Sequence, residues 1–245
     1  IPQATRYIAN TDFEARYVVS RGASAERVAV AGVGVDPDPY KRIDPKVAKL
    51  QLGLDAGPVV GFIGQIGGHK GVDTLLRAMP RVWIEVPEAR LLIAGSRTGY
   101  ARRIEEWIDG WPEGQRQSTT LRYNFPQEEK PWLFAALDVF AYPSGFESFG
   151  ISYLEAWASG KPVIGCRRGA VPSVIEAGRD GLLIDYQDED MLAEAIIMLL
   201  KNPDWASELG EAGKRKVLMH YTWPKVASRF RDVYREALRE RKQRE

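Results

Sequence analysis

The chain alternates short apolar runs with longer segments of helical periodicity, and this alternation constrains its fold more than any other feature. Several of the runs are apolar throughout, which is typical of strands covered by helices on both faces of a sheet. Strands that alternate with helices in this way predict parallel βαβ units. The predicted strands span residues 28–30, 59–63, 90–94, 120–123, 139–142, 162–165 and 182–184. We therefore expect an α/β fold, a Rossmann-like three-layer α/β/α arrangement around a mainly parallel sheet.

Helical patterns fill the intervals between the predicted strands. Gly160 and Pro162 stop one of them, because glycine favours the helix C-terminus and proline cannot continue a helix. Residues 32–39, which mix glycine and proline, predict a hinge or domain boundary. Only one helix, at 11–21, and one strand precede this hinge, too little to fold independently. The other main helices are predicted at residues 72–85, 130–136, 151–158 and 189–200.

Composition argues against several function classes. The 34 lysines and arginines balance 33 acidic residues, so no excess of cations favours nucleic acid. His69 and His220 are too few to indicate a metal site, and the single cysteine, Cys166, suits a reducing compartment such as the cytoplasm. No apolar run approaches the roughly 18 residues of a membrane span. The alternating charges of residues 229–245 predict a solvated helix face, with a weak peripheral contact to an anionic inner membrane face as the alternative.

A glycine-rich loop, residues 64–71, follows one predicted strand and precedes an amphipathic helix. Such a loop directs backbone N–H groups and the positive end of a helix at an anion. Lys70 adds a full cation at the same place. The alternative is an ordinary glycine-rich turn with a solvated lysine, since the spacing matches neither the Walker motif nor the dinucleotide fingerprint.

Two glutamates, Glu147 and Glu155, flank the start of a predicted helix. The eight-residue spacing is slightly more than two helical turns, so Glu155 lies inside the helix and Glu147 just ahead of it. Both are expected at the carboxyl edge of the sheet, where open α/β folds bind ligands. A carboxylate accepts hydrogen bonds from two vicinal hydroxyls, as a ribose or hexose clamp requires. The alternative makes Glu147 a helix N-terminal charge and Glu155 an exposed helix residue.

Together these segments resemble the pattern of glycosyltransferase family 4, whose members adopt the two-domain GT-B architecture. The resemblance extends over almost the whole chain. Its most specific part is the run that holds Glu147, Glu155, Ala156, Gly160 and Pro162. The other matching segments are the loop ending in Lys70-Gly71, Leu92-Ile93-Ala94-Gly95, Asp138-Val139-Phe140 with Pro143-Ser144, Gly160-Lys161-Pro162-Val163-Ile164, and Gly178-Arg179-Asp180-Gly181-Leu182-Leu183.

The resemblance implies a role for each candidate residue. Glu155 would hold the ribose hydroxyls, and Glu147 would face hydroxyls of the donor sugar. Lys70 and Gln65 would neutralise the diphosphate, with Lys70 and Glu147 as the catalytic pair. Residues 123–125 would receive the base. The implied donor-binding set is Gly64, Gln65, Lys70, Glu147, Ser148, Phe149, Gly150 and Glu155.

Two segments depart from the family pattern. Gln65 stands where the family often has arginine, so Lys70 would carry more of the electrostatic stabilisation. The paired glycines and the following Pro-Glu of the family are altered in residues 168–173, where Arg168 would supply a compensating cation.

The resemblance also implies an activity and a division of the chain. The activity is retaining transfer of a hexosyl group from a nucleoside diphosphate sugar, with no protein nucleophile, metal or cofactor implied. Residues 1–35 resemble the last helix and strand of an otherwise missing N-terminal acceptor domain. Residues 36–221 would form the donor domain and residues 222–245 the crossover helix. We expect this chain to bind the nucleotide sugar yet turn over poorly alone; its acceptor, a glycan, lipid or small molecule, is not identified.

Two other functions fit the same residues. One is a non-catalytic nucleotide-binding module that keeps the fold without transferring sugar. The other is a GT-B sugar-nucleotide epimerase, which would act on the donor without an acceptor. A dinucleotide dehydrogenase is disfavoured because the spacing of the glycine-rich loop is wrong for it.

Overall fold

The computed structural model describes residues 4–54 and 57–242 and contains a six-stranded parallel sheet. The strands run in the order β5-β4-β3-β6-β7-β8, which confirms the predicted α/β class. The predicted N-terminal piece 1–35 and crossover helix 222–245 each extend into residues outside the described ones, 1–3 and 243–245. The sheet strands are β3 (Val59–Ile63), β4 (Arg90–Gly95), β5 (Thr119–Tyr123), β6 (Val139–Ala141), β7 (Val163–Cys166) and β8 (Leu182–Ile184).

Helices cover both faces of this sheet. One layer contains α3, which packs on α8, and the other contains α6, which packs on α2 and α7, with α9 against α7. The chain first adds β4 and β5 on one side of β3 and then β6, β7 and β8 on the other side. Right-handed crossovers that run in opposite directions place their helices on opposite faces of the sheet, which gives the two layers. The helices are α1 (Asp12–Ser20), α2 (Pro45–Leu52), α3 (Val72–Glu85), α4 (Ala101–Asp109), α5 (Glu113–Gln117), α6 (Lys130–Ala135), α7 (Ile151–Ala158), α8 (Glu189–Lys201), α9 (Pro203–Lys216) and α10 (Trp223–Lys242).

The core lies along the central strands. Every residue of β3, β6 and β7 is buried, as the unbroken apolar runs predict for strands between two helical layers. The bounds of β3, α3 and α7 agree with the predicted ones, as do the strands at 28–30 and 182–184, and the other predicted elements differ by one or two residues at their ends. Over the residues that the structure describes, no helix is both long enough and apolar enough to cross a bilayer.

A small N-terminal sheet lies outside the main one. Its strands, β1 (Tyr7–Ala9) and β2 (Val28–Val30), pair in parallel. β1 was not predicted from the sequence. Helix α10 joins this part through Arg229, whose Nε donates to the Ala31 carbonyl at 2.7 Å, and through an ion pair of Arg6 with Glu240. The division of the chain near residues 35 and 222 stays a prediction.

Candidate functional site

Two loops meet at the carboxyl edge of the sheet. One is the glycine-rich loop 64–71 after β3, and the other is the loop 142–150 after β6. They are neighbours because β3 and β6 pair directly, with Val60 opposite Val139. The carboxyl ends of adjacent parallel strands are where open α/β sheets form ligand crevices.

The backbones of the two loops interlock. The amide of Gly145 donates to the carbonyl of His69 at 2.9 Å. Gly71 has φ +83° at the start of α3, and a Cβ there would lie 2.2 Å from the carbonyl oxygen of Pro143. Only glycine combines this left-handed conformation with so close an approach of another backbone. The position of Lys70 is therefore fixed relative to the loop that carries Glu147.

Lys70 and Glu147, the predicted catalytic pair, are in contact. Lys70 Nζ lies 2.7 Å from Glu147 Oε1, and the two side chains retain 18% and 11% of their exposure. Partial burial strengthens such a pair relative to one in water. Because Lys70 has three donors, two stay available for a further acceptor. The alternative of a solvated lysine is therefore wrong.

Tyr142, at the end of β6, lies beside this pair. Burial, followed by the charge and hydrogen bonding of Glu147, raises the pKa of Tyr142, which is therefore a neutral donor at physiological pH. Its ring also packs on Gly64, where a Cβ would come within 2.7 Å of a ring carbon. The backbone carbonyl of Tyr142 accepts from the hydroxyl of Tyr153 at 2.6 Å. Sequence reasoning assigned Tyr142 only to a strand end, since no motif distinguished its side chain.

The backbone between Glu147 and α7 offers main-chain donors. Gly150 precedes the helix with φ +92°, and a Cβ there would come within 2.5 Å of the Tyr153 ring. Across the described part of the chain, no protein acceptor receives the N–H groups of residues 148–151. Unsatisfied N–H groups and the positive end of a helix favour an anion at this point.

The remaining predicted donor residues surround these groups. Gln65 and Ser148 are exposed, and Gly64 is half-buried. Phe149 is buried and packs edge-on against Tyr221 at 5.4 Å between ring centroids, so only its main chain is left for a ligand.

Arg168 lies near the same loop. Its guanidinium stacks over the ring of Tyr186 at 4.2 Å from the centroid, and that ring packs on Gly145. The following segment is anchored by the amide of Ala170, which donates to the Glu147 carbonyl at 3.3 Å. The exposed Arg168 therefore lies on a segment that is tied to the glutamate loop, as its suggested compensating role requires.

Glu155 is a buried residue of α7, with 7% of its surface exposed, which contradicts the alternative of an exposed helix position. Its Oε1 accepts from Lys130 Nζ at 2.6 Å and from the Tyr40 hydroxyl at 3.0 Å. Burial, and then the charge of Glu155, raise the pKa of Tyr40, so this hydroxyl stays a donor. The other oxygen, Oε2, is buried with no hydrogen-bond partner.

Neither partner of Glu155 was predicted. Lys130 begins α6 and Tyr40 follows the hinge, 115 residues away from Glu155 in sequence. Only the tertiary fold brings these three residues together. The one available signal was a lysine at the start of an otherwise apolar helix.

A cavity of about 680 Å³ adjoins Glu155. Its walls are mainly apolar, and its lining includes three carboxylate side chains, those of Asp36, Glu128 and Glu155. It therefore combines apolar walls with acceptors for hydroxyl groups. Residues 127 and 128 line it, whereas none of the predicted base-receiving residues 123–125 does. The apolar walls include Tyr40, Ile43, Trp132, Ile151 and Trp223.

The three acidic and basic residues thus form two adjacent groups. Lys70 and Glu147 are in contact, and Glu155 occupies the neighbouring cavity; no contact joins it to the pair within residues 4–54 and 57–242. Burial, then Glu147 and last the charge of Glu155 raise the pKa of Tyr142, so Tyr142 lies near both groups. Over the same ranges, no three His, Cys, Asp or Glu side chains cluster in a way that could hold a metal ion.

The chain is similar to known proteins in both sequence and structure. The chain is 31% identical over 243 residues to the D-inositol 3-phosphate glycosyltransferase of Segniliparus rotundus, a match covering 98% of this chain and 54% of that protein. It spans about half the length of the curated relatives that it matches.

Solved structures of GT-B glycosyltransferases share its fold. Sucrose-phosphate synthase from Thermosynechococcus elongatus is 27% identical, with a TM-score of 0.83 over 95% of this chain and 58% of the other. Anabaena Alr3699/HepE, solved with UDP and glucose and also with UDP-glucose, is 21% identical. In its complex with UDP and glucose it has a TM-score of 0.83 over 95% of this chain and 64% of its own, a likeness of fold alone.

The sequence profile described as glycosyl transferases group 1 matches residues 49–216, more than half of the chain. This range includes the glycine-rich loop, both glutamates and Lys130. The chain therefore belongs to the glycosyl transferases group 1 family.

Proposed function

We propose that this chain is the donor-binding part of a retaining hexosyltransferase of glycosyltransferase family 4, which takes its sugar from a nucleoside diphosphate sugar. The observation that carries the proposal is the contact of Lys70 with Glu147 beside the unsatisfied amides of residues 148–151. Relatives named as glycosyltransferases, and a neighbour of the same fold solved with UDP-glucose, support it.

In this proposal the diphosphate occupies the anion site between the two loops. Lys70 and the N-terminus of α7 stabilise the negative charge that develops on the leaving diphosphate. Gln65 contributes a neutral hydrogen-bond donor. No metal ion, cofactor or protein nucleophile is assigned to the step.

The two glutamates then divide the recognition of the donor. Glu147, which already contacts Lys70, accepts hydrogen bonds from hydroxyl groups of the sugar. Glu155 accepts the ribose hydroxyls through Oε2, the buried oxygen that lacks a protein partner. The mainly apolar cavity next to it would receive the rest of the nucleoside.

Acceptor binding is assigned elsewhere. In the family it belongs to an N-terminal domain, and we propose that residues 1–35 are its last part, residues 36–221 the donor domain and residues 222–245 the crossover helix. These 245 residues would then bind donor without efficient transfer. We place the whole protein in the cytoplasm, with the basic residues of the last helix available for a weak contact with an anionic membrane face.

Calorimetry with UDP, GDP and ADP tests the donor site. At least one of them is expected to bind, with affinity reduced about tenfold or more by Lys70→Met, because a charge-assisted hydrogen bond is lost. Lys46→Met is the matched control, since Lys46 is an exposed lysine of α2. Binding of none of the three nucleotides, or equal binding by Lys70→Met, would contradict the proposal.

Turnover separates transfer from its alternatives and needs a longer form that includes the acceptor domain. Sugar transfer that requires an acceptor supports the proposal. Conversion of the donor sugar without acceptor would instead identify an epimerase, and nucleotide binding without any turnover a non-catalytic module.

A further inference from the structure

The cavity of about 680 Å³ beside Glu155 is acidic as well as apolar. Three carboxylate side chains line it, those of Asp36, Glu128 and Glu155, whereas no lysine, arginine or histidine among the described residues does. A ligand group that offers hydrogen-bond donors therefore suits this space better than one that offers only acceptors.

Glu155 indicates that this space receives a ligand. Only 7% of its surface is exposed, and its Oε2 has no hydrogen-bond partner in the described part of the chain. A buried acceptor without a partner costs free energy, which a donor from a ligand would remove. Because the proposed function assigns this oxygen to the ribose, the base of the nucleotide lies in the rest of the same cavity.

Aromatic side chains supply walls on which a base can stack. Trp132 of α6, Trp223 at the start of α10 and Tyr40 all line the cavity. Trp223 packs closely on the hinge, since a Cβ on Gly34 would lie 2.6 Å from its ring. Stacking on aromatic side chains tolerates every base. The choice among bases therefore has to come from the polar groups of the cavity.

Glu128 has both carboxylate oxygens available for that choice. It forms no side-chain hydrogen bond or ion pair with any described residue. Asp36 is already engaged within the hinge, where its Oδ1 accepts from the amide of Asp38 at 3.1 Å. Glu129, the next residue in sequence, is held by Arg122 through two bonds of 2.8 and 3.0 Å.

The backbone holds Glu128 close to the carboxylate assigned to the ribose. Glu128 lies in a short 3₁₀ turn, Gln127–Glu129, that leads directly into α6. Lys130 follows this turn and donates to Glu155 Oε1 at 2.6 Å. The turn that carries the free carboxylate therefore also leads to the lysine that fixes Glu155.

Guanine is the base whose edge matches such a carboxylate. Its N1–H and 2-amino groups are adjacent donors, which one carboxylate can accept together. Uracil presents a single N–H between two carbonyl oxygens, and a carboxylate repels both of these oxygens. Adenine presents one amino group beside an acceptor nitrogen, so it also offers one donor fewer than guanine.

We propose that the donor is a guanosine diphosphate sugar and that Glu128 selects its base. The proposal rests on the proposed function, because it assumes that the ribose occupies Glu155 Oε2. Glu128 is a specificity-determining residue in this proposal and takes no part in the transfer step.

Calorimetry with GDP, UDP and ADP tests the choice of base. GDP is expected to bind about tenfold or more tightly than either of the others, because only guanine gives Glu128 two charge-assisted hydrogen bonds. Tightest binding of UDP or ADP would overturn the assignment of guanine and leave the donor site intact. Binding of none of the three would defeat the proposed function, and this proposal with it.

Glu128→Gln tests the residue itself, and its exposed position makes the substitution compatible with the fold. The amide keeps one acceptor but replaces the other with a donor, which opposes the 2-amino group of guanine and matches the 2-carbonyl group of xanthine. GDP should bind about tenfold more weakly than to the wild type, and xanthosine diphosphate more tightly. Structural damage would not produce this gain.

Glu208→Gln is the matched control, because Glu208 is an exposed glutamate of α9 that does not line the cavity. It should alter the affinity for neither nucleotide. An unchanged ratio of the two affinities in Glu128→Gln would overturn the role of Glu128.

Discussion

At the scale of single residues, the candidate site depends on how each charge is satisfied. Lys70 and Glu147 satisfy each other, so a ligand can share an existing pair of charges. Glu155 is satisfied on one oxygen only, which leaves a buried acceptor without a partner. An unpaired buried acceptor costs folding free energy, and a hydroxyl ligand would remove that cost.

The two glutamates should respond differently to truncation. Glu155→Ala is expected to weaken binding of the nucleoside diphosphate by about 1–3 kcal/mol, because a charged acceptor is lost. Glu147→Ala should leave that affinity unchanged and weaken only the nucleotide sugar. Calorimetry with both ligands checks this, and equal losses for the two ligands in both variants would refute the division of roles.

Lys130 should act on binding through Glu155. Lys130→Met leaves a buried carboxylate without its cation, so both stability and nucleotide affinity are expected to fall. Lys130→Arg, which restores the charge, should recover most of the affinity, while Lys46→Met should behave like the wild type. Nucleotide affinity that survives in a folded Lys130→Met protein would show that Glu155 does not need this partner.

Lys161 makes stability depend on pH. Its pKa falls from 10.5 to about 8 on folding, so between those values the unfolded chain binds more protons and the free energy of unfolding rises with pH. Below pH 8 the whole penalty applies, about 3 kcal/mol for a shift from 10.5 to about 8. Lys161→Met should therefore raise the Tm at pH 7, with a gain that shrinks towards pH 10.5. A gain in Tm that is the same at both pH values would show that folding does not lower the pKa of Lys161.

At the scale of elements, the site depends on two loops that fit together through glycine. Gly71 combines a positive φ with close contact to the Pro143 carbonyl, whereas Gly53 has φ +67° with no neighbouring atom within 4 Å. Substitutions at Gly53 therefore measure the free-energy cost of the left-handed backbone alone, whereas substitutions at Gly71 also include the clash with the Pro143 carbonyl.

Gly71→Ala should be the more damaging of the two substitutions. Gly53→Ala is expected to cost about 1–2 kcal/mol from the left-handed backbone alone. Gly71→Ala should cost about 1–3 kcal/mol more, because its methyl group meets a backbone carbonyl, and it should also weaken nucleotide binding. Denaturant unfolding and calorimetry on both variants test this; similar losses for the two would mean that the loops are not rigidly joined.

The elements that form the site could largely be predicted from sequence. Apolar runs bounded by glycine gave β3 and α7, and the spacing of Glu147 and Glu155 located one ahead of the helix and the other inside it. The contacts of Glu155 with Tyr40 and Lys130 could not be predicted, because they join distant segments through packing that leaves no local pattern. The three-residue strand β1 was also missed, although β2 and β8, which are equally short, were predicted.

At the scale of the whole molecule, the first and last parts of the chain hold each other. The β1–β2 sheet is attached to α10 through Arg229 and Arg6, and Val35 forms a bridge with Thr222. None of the described residues of α1 is buried, so the N-terminal part depends on these contacts rather than on a core of its own.

Removing the Arg229 side chain should destabilise the β1–β2 sheet but not the main sheet. Arg229→Ala removes the bond to the Ala31 carbonyl, so the amides of residues 28–31 should exchange hydrogen faster while those of β3 stay protected. Arg231→Ala is the control, because the side-chain hydrogen bond of Arg231 in the described structure goes to Ser228 on its own helix. Faster exchange across β3 as well would show that the two parts unfold as one unit.

The most direct test of the central claim is a crystal structure of the chain with UDP, or with whichever nucleotide binds best. We predict that the ribose hydroxyls lie within hydrogen-bond distance of Glu155 Oε2, and that the diphosphate contacts Lys70 and the amides of residues 148–151. A nucleotide bound away from these groups, with Lys70 still paired only to Glu147, would contradict the account.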